Sequence, residues 1–464
     1  MRRREFLLAA AQASAGGDDF IRVSRRDARY LETGAGKPYI PIGLNLIAPP
    51  RAQNEAEVWA AFERWLGRLY ENSGNYIRLW LSNPFWAVEH EREGLYDESR
   101  AKRIERVLDL CRKRSIKVKM TLEHFRTIGE PTKQPWADKP LHNKTNGGSA
   151  LSTADFFDGE APRAQFKKKL GWFAKRFGDD PAVFAWELWN EVNAVRGGDV
   201  LAWTEVMLKE LHARFPRNLA VQSLGSFDRE RTRNIYRRHS LLPGNDLAQV
   251  HRYLDLGAEW EVCHGPVDVL AAEAVRELLS YKPQRPVLLA ESGAVEPKHT
   301  GPFRLYAKDK EGIILHDVLF APFFAGAAGP GQIWHWDSYV DANDLWWHFG
   351  RFSAVVEDLD PPAERFQPSM LEHDALRIYS LAGNNTTLLW CRDRENTWRS
   401  ELEQERSPST LRGLEIRGFG DARSARLFDP WAGRWQALER PNGVLRIPQL
   451  KRSAVVRLEN ALRA

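Results

Sequence analysis

Two carboxylates stand where a chain places them for catalysis. Glu191 closes the stretch Trp186-Glu187-Leu188-Trp189-Asn190-Glu191, and Glu291 closes the apolar run Val287-Leu288-Leu289-Ala290-Glu291, with Gly293 close behind. An apolar run that ends in an acid presents its carboxylate at the C-terminal edge of a parallel strand. Two such acids can divide the work. One stays protonated and donates to a leaving oxygen, while the other is ionised and attacks or activates water. Burial and mutual repulsion raise the pKa of one of them, as an acid catalyst needs near neutral pH. This is the requirement of glycosidic bond cleavage, in which carboxyls ~5–5.5 Å apart retain anomeric configuration and carboxyls ~6.5–9.5 Å apart invert it. Glu187, four residues before Glu191, competes with it for the acid role.

The elements that must position these acids follow from periodicity. From residue 20 to about 355, strand-length apolar runs alternate with stretches of helical period. Strands are predicted to end at Asn45, Leu81, Leu122, Asn190, Gly225, Tyr253, Ser292 and Ser338, with helices over 55–69, 105–111, 165–177, 201–211, 269–279 and 313–324. Eight strands alternating with helices point to an α/β fold, a (β/α)8 TIM barrel, whose C-terminal face carries the βα loops 83–98 and 124–157. After Asp360-Pro361-Pro362 short alternating segments separated by turns predict a small antiparallel β-sandwich. The expected division is therefore 1–15, 16–360 and 361–464.

Composition narrows the function. Hydrophobic residues make up 43% and charged ones 28% of the 464 residues, an ordinary globular balance. Part of the net charge of +5 lies in Arg2, Arg3 and Arg4, so the body does not advertise a nucleic-acid partner. No apolar run reaches the ~18 residues of a membrane helix, so stable membrane insertion is not expected. Cys111, Cys263 and Cys391 are too scattered for a zinc site or a disulfide framework. There is no HExxH pair, no GxSxG elbow and no dinucleotide glycine fingerprint after the first strand, and no metal or cofactor is expected. Oligomeric state leaves no signature. The 18 Trp outnumber the 11 Tyr. Trp59, Trp65, Trp172 and Trp203 have core spacing, whereas Trp80, Trp86, Trp136, Trp260, Trp334 and Trp336 lie at strand ends or on βα loops, where an indole can stack on a pyranose.

The motif Trp189-Asn190-Glu191 together with Glu291-Ser292-Gly293 resembles the signature of clan A retaining glycoside hydrolases, most closely family 5, the mannanase- and cellulase-like enzymes. The resemblance implies that Glu191 is the acid/base, Asn190 binds the sugar hydroxyl beside the scissile bond, and Glu291 is the nucleophile. It implies that Arg78 supports the nucleophile, that His251 and Tyr253 form the His-x-Tyr pair after strand six, and that Glu187 plays a supporting part. Trp334 would floor the sugar site, with Trp336 a second candidate and His124 the strand-three histidine. The entry hairpin over 30–45 resembles that of mannanase-like members. Trp189 replaces the small residue usual there. The expected substrate is a β-linked polysaccharide or oligosaccharide, β-mannan before β-glucan. A transglycosylase, or a barrel that binds carbohydrate without cleaving it, are the alternatives.

The first fifteen residues, MRRREFLLAAAQASA, join an arginine cluster to a short apolar stretch and an Ala-Ser-Ala cleavage site. They resemble a twin-arginine export signal, which implies a periplasmic or extracellular protein.

Overall fold

The computed structural model describes residues 19–124, 141–195 and 197–460. Parallel strands β1 (Gly43–Asn45), β2 (Tyr76–Trp80), β3 (Lys117–Glu123), β4 (Val183–Trp189) and β5 (Leu219–Val221) form a five-stranded sheet in chain order. β6 (Ala248–His251) and β7 (Val287–Glu291) form a second parallel pair. Ile333 makes parallel bridges to both Leu44 and Ser292, so an eighth segment stands between β7 and β1. On the other side, Asp246 N donates to Ala220 O at 2.9 Å and brings the approach to β6 beside β5.

A helix follows each of these segments: α1 (Glu55–Glu71), α2 (Glu98–Arg112), α3 (Glu160–Phe177), α4 (Val200–Arg214), α5 (Arg233–Ser240), α6 (Val267–Ser280), α7 (Ile313–Phe324) and α8 (Trp347–Val356). α1 starts where Asn54 accepts from the Glu57 amide and Glu57 accepts from the Asn54 side chain, which satisfies donors that the first turn leaves open. Its Val58, Trp59, Phe62, Trp65, Leu66 and Leu69 share the buried face. Every residue of α7 is buried, which an amphipathic stripe would not require. The C-terminal sheet packs over its outer side.

That sheet is antiparallel, in the order β8 (Gln367–Leu371), β9 (Leu376–Ala382), β10 (Thr386–Asp393), β15 (Ser453–Glu459), β12 (Ser424–Asp429) and β13 (Arg434–Ala437). β11 (Thr410–Ile416) and β14 (Leu445–Lys451) form a two-stranded ladder of their own. Strand alternation divides the side chains. Leu376, Ile378, Leu389, Cys391 and Val456 pack with Ile416, Leu445 and Ile447 of the ladder, whereas Tyr379, Trp390, Phe428 and Val455 join the core of the larger unit. The second layer of the expected sandwich is thus only two strands wide, because the other face of the sheet is spent on the helices. Two bidentate ion pairs lie in that interface. Arg377 grips Asp268 (2.5 and 3.0 Å), and Arg392 grips Asp317 (2.8 and 3.2 Å).

Three sequence expectations differ from the structure. The eighth strand contributes only the bridge at Ile333, since the chain then turns helically over Trp336–Asp341, with Val340 N donating to His335 O. The fifth strand stops at Val221 because side chains take over the pairing, Asn245 Oδ1 accepting from the Gln222 amide. α5 and α8 lie outside the six helices that the period predicts. α5 is short and strongly basic, with only Tyr236, His239 and Ser240 buried. The proposed signal over 1–15 lies outside the described residues. Among the described residues no helix is long and apolar enough to cross a membrane.

Candidate active site

The C-terminal ends of β2, β4, β6 and β7 bring Arg78, Asn190, Glu191, His251, Tyr253 and Glu291 together. Arg78, fully buried on β2, is the hub. Its Nε donates to Glu187 Oε2 (2.8 Å) and to Thr121 Oγ1 (3.1 Å), and its Nη2 donates to Asn190 Oδ1 (2.7 Å). Nη1 donates to Glu291 Oε1 and, at 3.3 Å, to Asn45 Oδ1. Tyr253 Oη donates to the other Glu291 oxygen at 2.8 Å. Glu291 is thereby held on both oxygens, which fixes its rotamer and leaves it aimed rather than swinging.

Glu191 is placed differently. It follows β4 with φ 52° and ψ 52°, a left-handed backbone that a non-glycine residue adopts at a cost of roughly 1–3 kcal/mol. Its amide donates to Ser223 Oγ at 3.1 Å, and its carbonyl accepts from Ala194 N at 2.8 Å, so the turn is held from both sides. The turn breaks strand parity and swings the carboxyl toward β6, where His251 Nδ1 lies 2.9 Å from Glu191 Oε1 and 3.3 Å from Glu291 Oε2. An oxygen of Glu191, an oxygen of Glu291 and a His251 nitrogen all lie within 4.8 Å of one another.

The charges sort by their neighbours. Burial alone would push every carboxyl here upward. For Glu187 the Arg78 and Lys119 cations and the Thr121 hydroxyl outweigh burial and lower its pKa, so it is ionised. Among the described residues no cation lies against Glu191. Burial first, and the Glu291 charge second, raise its pKa well above the ordinary value. Burial also raises Glu291, opposed by the Arg78 guanidinium and the Tyr253 hydroxyl. Burial, with Arg78 and Lys119 adding to it, lowers His251 well below the usual imidazole range and keeps it neutral. Lys119, whose Nζ donates to Gln249 Oε1 at 2.6 Å, is pushed down to about 7 by burial, with Glu187 and Glu291 opposing. The arrangement is one carboxyl biased to the acid form beside one clamped by two donors.

Aromatic rings flank the pair. Trp80 stacks on His124 (centroids 4.7 Å apart) and lies 5.2 Å from Trp334, which is half-buried, and Ser82 is hydrogen-bonded to His124 Nδ1. Other expected platforms are not brought here. Trp86 is fully buried edge-on against Phe62 and Phe85, because the 83–98 segment folds back onto α1. Trp336 packs on Trp65 of α1 once the chain leaves strand geometry. Trp260 lies 5.0 Å from Phe227, with Arg252 over its ring. Trp136 lies outside the described residues.

Several participants escape a sequence reading. Asn45 braces Arg78 and donates to Ala290 O at 3.0 Å, although its place at a strand end was a legible hint. Thr121, Ser223 and Lys119 carry no motif. Asp228, Asp255 and His299 form a cluster at the rim beside Tyr253, whose ring meets His299 edge-on at 5.1 Å.

No protein-family model matches the chain, and no curated protein matches it by sequence. Solved structures do match its fold. A glycoside hydrolase is similar over 96% of this chain and 98% of its own, with a TM-score of 0.60 and 14% identity. An exo-β-1,4-mannosidase from Opitutaceae bacterium strain TAV5 is similar over 71% of this chain and 61% of its own (TM-score 0.50, 17% identity). A family 5 mannosidase from Rhizomucor miehei is similar over 69% and 86%, respectively (TM-score 0.50, 15% identity). The chain therefore has a fold that occurs among glycoside hydrolases.

Proposed function

We propose that this protein is a retaining β-glycoside hydrolase built on a (β/α)8 barrel over residues 16–360, with a C-terminal β domain over 361–464. The observation that carries the reading is the asymmetric carboxyl pair. Glu291 is clamped by Arg78 and Tyr253, and an oxygen of Glu191, which has no cation against it among the described residues, lies within 4.8 Å of one of Glu291. Oxygens this close support the retaining class, whose carboxyls lie ~5–5.5 Å apart, over the inverting class at ~6.5–9.5 Å.

In the first step Glu291 attacks the anomeric carbon and the C–O bond to the leaving group breaks, while Glu191 gives its proton to the departing oxygen. Glu191, now ionised, takes a proton from water as that water attacks the same carbon and releases Glu291. Arg78 and Tyr253 hold Glu291 for in-line attack, and Asn190, itself fixed by Arg78, borders the reacting sugar. Trp80 and Trp334 offer π faces to the C–H face of a pyranose. The mannosidases among similar folds support a β-mannoside as the first substrate to try, with β-glucosides second. The arginine-rich start supports export.

The test is hydrolysis of mannan, glucan, xylan and aryl β-glycosides by the wild type, Glu191→Ala and Glu291→Ala. Activity on one substrate that both substitutions abolish supports the assignment. Activity that survives both would refute it.

A further inference from the structure

A second group of buried charges gathers at the end of β3, between the segment after β2 and α3. Lys169 of α3 points inward with its side chain only 4% exposed. Its Nζ is 3.0 Å from Glu89 Oε2 and is hydrogen-bonded to Glu123 Oε1, the last residue of β3. His142, on the segment that leads toward α3, places Nδ1 2.6 Å from Glu93 Oε1 and Nε2 3.8 Å from Glu123 Oε1. Donor atoms of Glu89, Glu123 and His142 all lie within 4.8 Å of one another. Two carboxylates and an imidazole at that spacing are the donor set of a zinc or manganese site. Here an ammonium sits among them instead. Carboxylates gathered this closely away from water need a positive charge between them.

The cluster has two mechanical connections to the catalytic end of the fold. The Glu123 carbonyl accepts from the Asn190 amide at 2.7 Å, one residue before Glu191. His124, next to Glu123, forms the aromatic wall with Trp80. Glu89 also closes its own loop by accepting from Gly94 N at 2.6 Å. Lys169 thus ties the segment after β2 to the end of β3, and His142 joins the segment before α3 to the same two.

We propose that Lys169 is a positioning residue, the built-in cation of a metal-type site, whose ammonium stands where a divalent ion would and fixes the end of β3 against Asn190 and Glu191. The positioning half of this inference rests on the glycosidase reading, and the cation half does not.

Lys169→Ala empties the cation position and leaves the donor set. Prepared with chelator, this variant should melt below the wild type, and Zn2+ or Mn2+ should raise its midpoint and bind with unit stoichiometry by calorimetry. The wild type should respond to neither ion. On an aryl glycoside that the wild type hydrolyses, the variant should lose about tenfold in kcat with KM little changed, and the same ion should restore it. Lys169→Met, which fills the space with an apolar chain, should show no recovery with metal. A Lys169→Ala variant that keeps the wild-type midpoint, or gains nothing from either ion, would overturn the cation half, as would stoichiometric metal binding by the wild type. Melting and calorimetry need no turnover, so this half stands or falls even if no glycoside is cleaved. Recovery of the midpoint without recovery of kcat would overturn the positioning half. If Lys169→Ala does not fold, the double variant Lys169→Met/Glu123→Gln removes charge on both sides. It should fold and keep the kcat defect, and wild-type kcat in that protein would contradict positioning by the clasp.

Discussion

Buried charge occurs at the strand ends around Arg78 and again at the interface between the helices and the C-terminal sheet, and the two are composed differently. At the interface each acid has its own arginine, Arg377 on Asp268 and Arg392 on Asp317, in two-point contacts. At the strand ends one arginine serves both Glu187 and Glu291, and no described arginine pairs with Glu191. Private pairing fixes a geometry, even where burial pushes the paired acid up, as it does Asp317 to about 6 against the pull of Arg392. Shared pairing leaves Glu191 raised well above the ordinary carboxyl range beside a Glu291 that Arg78 and Tyr253 hold against the same upward push, an asymmetry that suits acid–nucleophile chemistry. Charge left partly uncompensated in a protein interior lowers stability, so its persistence at one place marks where function is bought.

The largest effects should come from the shared group. Glu291→Ala should lower kcat by about 10⁴-fold or more, and Glu191→Ala by roughly 10²–10⁴-fold, with less loss on aryl glycosides whose leaving group needs no proton. Glu191→Ala should not lower the thermal midpoint, because burial disfavours its carboxyl, whereas Glu291→Ala takes a partner from buried Arg78 and Tyr253 and should lower it. The privately paired group should behave in the opposite way. Arg392→Met leaves Asp317 buried without its cation and should cost about 3–5 kcal/mol in denaturant unfolding, with kcat per folded molecule unchanged. A fall in kcat of the folded Arg392→Met protein would erase the contrast between the regions.

The pH dependence sharpens it further. The proposed reaction needs Glu191 protonated and Glu291 ionised, so activity should be lost below the Glu291 pKa and above that of Glu191. Ionised Glu291 is one of the causes that raise Glu191. In Glu291→Gln the Glu191 carboxyl should therefore titrate at lower pH than in the wild type, as followed by NMR of labelled glutamate. No movement would mean that the two carboxyls do not sense each other. The smallest effect belongs to the aromatic wall. Trp80→Ala or Trp334→Ala should raise KM roughly 2- to 10-fold, the worth of one stacking contact, with kcat less affected.

The sequence exposes the parts of the site that chain order dictates. Glu191, Glu291, His251 and Tyr253 end or follow strands whose apolar runs are plain, Arg78 lies within such a run, and the fold brings them together. It does not expose partners recruited across the fold by shape alone. Thr121 meets Glu187 across neighbouring strands, and Ser223 meets the Glu191 amide across a turn, and nothing in either residue's surroundings in sequence announces the contact. Tryptophan is the clearest case of ambiguity. Trp80 ends the second strand and Trp86 follows it, yet Trp80 faces His124 and Trp334 while Trp86 is sealed against Phe62, because the chain's path and not its composition decides what each ring meets. Likewise Lys169 sits in Lys167-Lys168-Lys169, a run that reads as a solvated helix face, and only the fold turns its third member inward.

The central claim is that Glu291 attacks directly, which two successive displacements at one carbon make visible as retained configuration. The most direct measurement is proton NMR of the first-formed sugar released from an aryl β-glycoside by the wild-type enzyme, before mutarotation. The expected result is the β anomer appearing first and the α anomer growing in only at the spontaneous rate. The α anomer appearing first would mean that water, and not Glu291, attacks the anomeric carbon.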